Sequence, residues 1–270
     1  MRLLVATVLI LFAGMLPATA APGTSGSRPV VAIIIDDLGH RMPIAQRVIA
    51  FPVPVACAVL PDTPHAGRIA ARAREAGKEV LLHLPLQAVG SAHGGHDGEL
   101  TLDTTQRQFE LAVARHLSSV PHLDGVNTHR GSLLTRHPGH MGWLMDVLSR
   151  EAQLFFVDSY TTAESVALRL ARERGIPSTR RDVFIDADPS EAGVRQQFRR
   201  LKRLARERGS AVGIGHPTAV TVAFLEQALP ALEDEGIDVV TVESVIRLQS
   251  DDNFLQDRLL VNAGVQTRWR

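Results

Sequence analysis

Cysteine, aromatic side chains and net charge are scarce in this chain. Its 270 residues include a single cysteine, Cys57, so no internal disulfide can form and stability has to come from the core. Cys57 lies in the apolar run Val55–Leu60 and reads as a small buried hydrophobe rather than a nucleophile. Aromatic residues make up 4% of the chain, and Trp143, Trp269 and Tyr160 are the only Trp and Tyr. A broad aromatic stacking surface is thereby excluded, while a polar pocket is not. Basic and acidic side chains balance at 29 each, so no net field points to nucleic acid or an anionic membrane as partner. The arginine-rich stretch Arg199–Arg208, interleaved with Leu201 and Leu204, reads as a solvated helix face. A local metal motif such as His-Glu-x-x-His is missing too, so any metal site must be assembled by the fold from distant segments.

The longest apolar run is at the start. Arg2 precedes Leu3–Leu16, followed by Pro17 and Ala18-Thr19-Ala20. A basic start, an apolar stretch of this length and small residues three apart describe a secretory signal over residues 1–20, cut after Ala20. The run is short of the about 20 apolar residues a spanning helix needs. The expectation is a folded part outside the cytoplasm, not inserted in a membrane once the signal is cleaved. Ala21–Pro29, rich in Gly, Ser and Pro, reads as a flexible tether over 21–29.

Strand and helix patterns then alternate. Val30–Ile35 is a continuous apolar run, β-branched except at Ala32 and apolar on both faces, as a parallel strand buried between layers should be. Further strands are expected at Val53–Leu60, Glu79–Leu84, Gly125–Thr128, Leu154–Val157, Val183–Ile185 and Ala211–Ile214, with a weaker one at Val239-Val240. Helical spacing falls between them, at Pro43–Ala50, Thr63–Gly77, Thr104–Ser119, Pro138–Arg150, Ser165–Arg174, Glu191–Arg208 and Thr218–Leu229. Ala171–Gly175 and Ala205–Gly209 both read Ala-Arg-Glu-Arg-Gly, one helix-exit solution used twice. Regular βα alternation with short connections predicts an α/β protein with a parallel sheet, closed or open. It forms one domain over residues 30–250, and 251–270 is a tail.

Several of these strands end on a carboxylate or an imidazole. Val30–Ile35 runs into Asp36-Asp37, Glu79–Leu82 into His83, and Gly125–Thr128 into His129. Leu154–Val157 runs into Asp158, Val183–Ile185 into Asp186, and Ala211–Gly215 into His216. Parallel strands share one C-terminal rim, so these groups converge on one pocket. Two adjacent carboxylates at the end of a buried strand repel and lose hydration, and a cation or a shared proton would compensate. Neighbouring strand residues point opposite ways, so one should bind metal and the other face substrate. Asp37 with His83 and His129 makes a fitting ligand set for Zn²⁺ or a similar divalent ion, with positions left open for water. His216, between Gly215 and Pro217, is placed as a general acid or base. Asp158 and Asp186 read as helix caps or as partners orienting a neighbour. His93 and His96 read as an exposed turn, and His116, His122, His137 and His140 as solvated.

Ile33–Gly39, Phe51-Pro52-Val53-Pro54, Leu60–Ala66, Leu81–Pro85, Gly125–Ser132, Phe155–Ser159, Arg181–Asp186 and Ile214–Pro217, in this order, resemble the divergent polysaccharide deacetylases, a secreted bacterial branch of the carbohydrate esterases. The resemblance covers about residues 30–247. It implies a distorted (β/α) barrel of about seven parallel strands. Carried over by position, it makes Asp36 the base, Asp37, His83 and His129 the ligands of a divalent metal such as Zn²⁺, and His216 the acid. Asn127, Arg130, Ser132, Asp158 and Asp186 would contact substrate or orient the site. Thr128 and Arg130 stand where this branch carries Asn and Met, and Arg130 adds a positive charge beside the metal. The implied activity is hydrolytic removal of acetyl groups from an envelope or extracellular glycan in the periplasm. The rival expectation is a non-catalytic periplasmic protein whose retained pocket binds a glycan or a partner, and a metal phosphoesterase is a third.

Overall fold

The computed structural model describes residues 28–91, 98–151 and 153–251. The signal expected at 1–20, most of the 21–29 tether, nearly all of the 251–270 tail, and His93, His96 and Trp269 lie outside the described residues. Among the described residues no helix is long and apolar enough to cross a membrane.

The strands are β1 (Val30–Leu38), β2 (Ala56–Val59), β3 (Glu79–Leu86), β4 (Gly125–Arg130), β5 (Phe155–Asp158), β6 (Ser178–Arg180), β7 (Val183–Phe184), β8 (Ser210–Gly215) and β9 (Asp238–Val239). The helices are α1 (Met42–Ile49), α2 (Ala66–Glu75), α3 (Gln106–Ser119), α4 (Pro138–Leu148), α5 (Ala167–Glu173), α6 (Glu191–Arg208) and α7 (Ala219–Ala228), with a last one, α8, over 242–251. Hydrogen-bonded strand order is β6-β5-β4-β3-β2-β1-β8-β7, with β9 beside β1, and every pair is parallel. The ladder opens between β6 and β7, where Arg181-Asp182 alone bridges the seam. This is the distorted barrel expected, with eight strands in the ladder rather than about seven. The additional strand, β6, is three residues long and polar, so it carries no apolar period to read. The weak last strand is Asp238–Val239, paired with the first two residues of β1.

Alternation along the strands makes two cores. Val30, Ala32 and Ile34 of β1 face inward with Ala56, Ala58, Leu81, Phe155, Val157, Val212 and Ile214, filling the barrel. Val31, Ile33 and Ile35 face outward with Cys57 and pack under the helices. The buried stripe of α6, through Val194, Phe198, Leu201 and Ala205, recurs at helical spacing and lies in that second core. Both helices that read Ala-Arg-Glu-Arg-Gly exit through a left-handed glycine, Gly175 at φ +69° and Gly209 at +81°, a conformation without steric cost only for glycine.

Two histidines differ from expectation. His116 and His140 are buried, not solvated. The His116 ring bridges Gly98 O (3.0 Å) and Asp62 Oδ2 (3.2 Å), while that of His140 packs on Phe109 and Trp143. Each ring has a hydrogen-bond partner for one nitrogen, Gly98 O for His116 and His137 Nδ1 for His140, and most of what buries them comes from elsewhere in the chain, too far off in sequence to be read there.

Candidate active site

The inward faces of the strands change character at one level. Above Ile34 comes Asp36, above Leu81 comes His83, above Ile214 comes His216, and above Gly125 come Asn127 and His129. An apolar barrel interior is thus lidded by polar side chains at its C-terminal mouth, the end where parallel α/β folds place their sites.

Asp37 breaks the alternation. In a regular strand it would face the outer helices, but its φ is +54° and the pairing of β1 with β2 shifts register between Ile35 and Leu38. Aspartate tolerates this left-handed geometry better than most residues. The kink turns its carboxylate back over the mouth. Both carboxylates therefore approach one imidazole, where strict alternation would have parted them: His83 Nε2 lies 3.1 Å from Asp37 Oδ1 and 3.6 Å from Asp36 Oδ2.

Three donor atoms form a triangle. Asp37 Oδ1 is 3.1 Å from His83 Nε2 and 2.9 Å from His129 Nδ1, and the two imidazole nitrogens are 3.1 Å apart. Asp37 Oδ1 is buried and, despite these short distances, has no hydrogen bond of acceptable geometry. Octahedral ligands about 2.1 Å from a divalent ion sit about 3.0 Å apart, and tetrahedral ones about 3.4 Å. One carboxylate and two imidazoles at this spacing fit such an ion. These three residues are the described group of Asp, Glu, His and Cys able to hold one.

Behind the triangle runs a buried chain of hydrogen bonds. The Asn127 amide N–H donates to Asp36 Oδ1 (2.7 Å), and its carbonyl lies 2.8 Å from His83 Nδ1. That contact places the proton on Nδ1 and leaves the Nε2 lone pair facing the triangle. Burial drives the Asp36 pKa up, against the opposing pull of His83 and Asn127. Burial acts in the same sense on Asp37, yet the close approach of the His129 and His83 imidazoles outweighs it and holds this carboxyl well below the usual range. Two neighbouring carboxyls are thus pushed in opposite directions.

His216 stands across the mouth. Its Nδ1 lies 2.9 Å from Asp186 Oδ1, while Asp186 Oδ2 accepts from the His216 backbone N–H (2.7 Å) and the Thr221 hydroxyl (2.9 Å). Bonding to Asp186 outweighs burial and raises the imidazole to about 9. Phe184 stacks on its ring and the Arg181 guanidinium lies 3.5 Å from the Phe184 centroid.

The other expected residues take different places. Asp158 is buried and engaged with its own loop, accepting from Tyr160 N–H (2.9 Å) and the Ser165 hydroxyl (2.7 Å). The Ser132 hydroxyl accepts from Val89 N–H at 3.0 Å, tying down the loop after β3. Arg130 is exposed on the rim next to His129. Thr221, Arg181 and Glu99 were not singled out from sequence, because each acts through a partner that only the fold supplies.

Residues 33–246 match the divergent polysaccharide deacetylases. The chain belongs to that family. It is 35% identical over 238 residues to the uncharacterized protein YibQ of Escherichia coli K12, covering 88% of this chain and 72% of the relative. The fold is shared with the uncharacterized protein ATU2773 of Agrobacterium tumefaciens C58, at a TM-score of 0.77 and 22% identity over 83% of this chain and 92% of the other. It is also shared with the catalytic domain of a peptidoglycan N-acetylglucosamine deacetylase from Eubacterium rectale, at 0.52 and 17% over 83% and 93%.

Proposed function

We propose that this divergent polysaccharide deacetylase is an exported, periplasmic hydrolase that removes acetyl groups from an envelope or extracellular polysaccharide. The reading rests above all on the triangle of Asp37, His83 and His129 lying between a buried carboxyl and a raised-pKa imidazole. These three would hold a divalent ion, with zinc favoured by the nitrogen-rich set. When bound, such an ion supplies Lewis acidity to an acetyl carbonyl and to water.

The chain's own residues account for the proton movements. Asp36, anchored through Oδ1 by Asn127, keeps Oδ2 toward the mouth and takes a proton from the attacking water. Its raised pKa brings it closer to working pH, where a general base is most effective. Water oxygen adds to the acetyl carbon, and the bond from that carbon to the glycan nitrogen or oxygen then breaks. His216, protonated at neutral pH, gives its proton to the departing atom, and Asp186 stabilises and aims the imidazolium. Acetate and a free amine or hydroxyl result.

The structural neighbour named as an N-acetylglucosamine deacetylase makes N-acetylated oligosaccharides the first substrates to assay. Zinc-loaded protein should release acetate, while Asp36→Asn should bind the same oligosaccharide and release none. Oligosaccharide binding with no acetate release across N- and O-acetylated panels would instead support a non-catalytic glycan-binding protein.

A further inference from the structure

Two residues on neighbouring strand exits hold backbone conformations that side-chain-bearing residues rarely adopt: Arg130 at the end of β4 at φ +57°, and Tyr160 after β5 at +49°. Each costs about 1–2 kcal/mol relative to ordinary backbone, so the surroundings must impose them. They do. The Thr161 hydroxyl donates to Arg130 O (2.7 Å), Asp158 accepts from Tyr160 N–H, and the Arg181 guanidinium donates to Ser159 O and Tyr160 O, both at 2.6 Å. Strain fixed this firmly beside a site is a reason to look for function.

The side chains so displayed are cationic and aromatic. Arg180, exposed at the end of β6, lies over the Tyr160 ring with its guanidinium carbon 4.5 Å from the centroid. A stacked guanidinium keeps its N–H edge free for oxygens. Arg130 follows His129 directly and is 40% exposed, with Nη1 3.9 Å from Glu99 Oε1. The Glu99 side chain is 2% exposed, and neither carboxyl oxygen has a hydrogen bond. The Arg130 guanidinium thus lies within ion-pair distance of an otherwise unsatisfied carboxyl. That contact restrains Arg130 from one side. Arg130, Tyr160 and Arg180 thus stand at the C-terminal ends of the adjacent strands β4, β5 and β6, a strip of the rim whose first position follows His129.

We infer that this strip is a subsite for an oxyanion on the glycan, a carboxylate or a phosphate on a sugar next to the acetylated one. Tyr160 supplies a stacking face for that sugar, the two arginines supply fork-shaped donors, and Glu99 is a positioning residue for Arg130. The inference rests on the glycan-binding reading above and adds a class of substrate to it.

Binding is the test, since it does not require turnover. Three acetylated oligosaccharides of equal length, one neutral, one carrying a uronate and one a phosphate, are titrated calorimetrically into the full-length protein at low and high salt. At least one charged probe should bind about tenfold tighter than the neutral one, with the preference shrinking in salt. Arg130→Gln/Arg180→Gln should bring the ratio within about twofold, and Glu99→Gln should reduce it while leaving Arg180 in place. Which charged probe wins separates carboxylate from phosphate. Equal affinity for all three probes, or a preference that survives the double substitution, overturns the inference. Acetate release from the neutral probe, followed in parallel, tests the deacetylase reading by itself: its failure alongside a charge preference would remove the chemistry and leave the subsite.

Discussion

Replacing Asp186 by Asn tests the acid side of the site. His216 is held up to about 9 against an ordinary value of 6.5, a difference of about 3 kcal/mol at about 1.4 kcal/mol per pH unit. The side chain is 36% exposed, so solvent screening reduces this to roughly 1–2 kcal/mol. A folded-state pKa raised in this way stabilises fully below pH 6.5, and the stabilisation is lost as pH rises through about 9. Asn keeps the shape, removes the charge and turns an amide N–H₂ toward donors that Asp186 now accepts. The imidazole should then titrate near or below 7, because burial pulls it down with less to oppose it. Nuclear magnetic resonance titration of the metal-free protein, with His216→Gln to assign the signals, reads this directly. Urea unfolding at pH 6.5 and pH 9.5 should show the wild type losing about 1–2 kcal/mol more than the variant. An Asp186→Asn imidazole that still titrates near 9 would refute the reasoning.

Asn127→Ala should strand Asp36 Oδ1 and His83 Nδ1 in the interior together, at about 1–3 kcal/mol for each unsatisfied group. Denaturant melts should show a loss of about 3 kcal/mol, and zinc titration a weaker site, about 10–100-fold, as expected when a partner orienting a ligand is lost. Gly39→Ala should destabilise by at least about 2 kcal/mol in thermal melts: its φ is +139°, and the added carbon would lie 2.1 Å from Thr63 Oγ1. Unchanged melting would mean that the turn after Asp36-Asp37 is looser than described.

The rim was legible in sequence because parallel strands buried on both faces read as runs unbroken by any polar residue, so the polar residue ending each run stands out. Val30–Ile35 before Asp36 shows this, and so does Ala211–Gly215 before His216. What could not be read follows from single dihedral angles and distant partners. The left-handed turn at Asp37 is one residue's choice, and it reverses which way the carboxylate points. His116 and His140 look like helix-surface residues until Asp62, Gly98 and Phe109 are brought to them. Glu99 closes a glycine- and histidine-rich loop with no periodicity, so neither its burial nor its approach to Arg130 leaves a trace in the chain.

The most direct measurement is an anomalous difference map collected at the zinc edge from crystals grown with the metal. One peak, bonded to Asp37 Oδ1, His83 Nε2 and His129 Nδ1 and missing in His83→Ala, is the predicted result. Crystals carrying one zinc per chain with no density at that triangle would contradict the account.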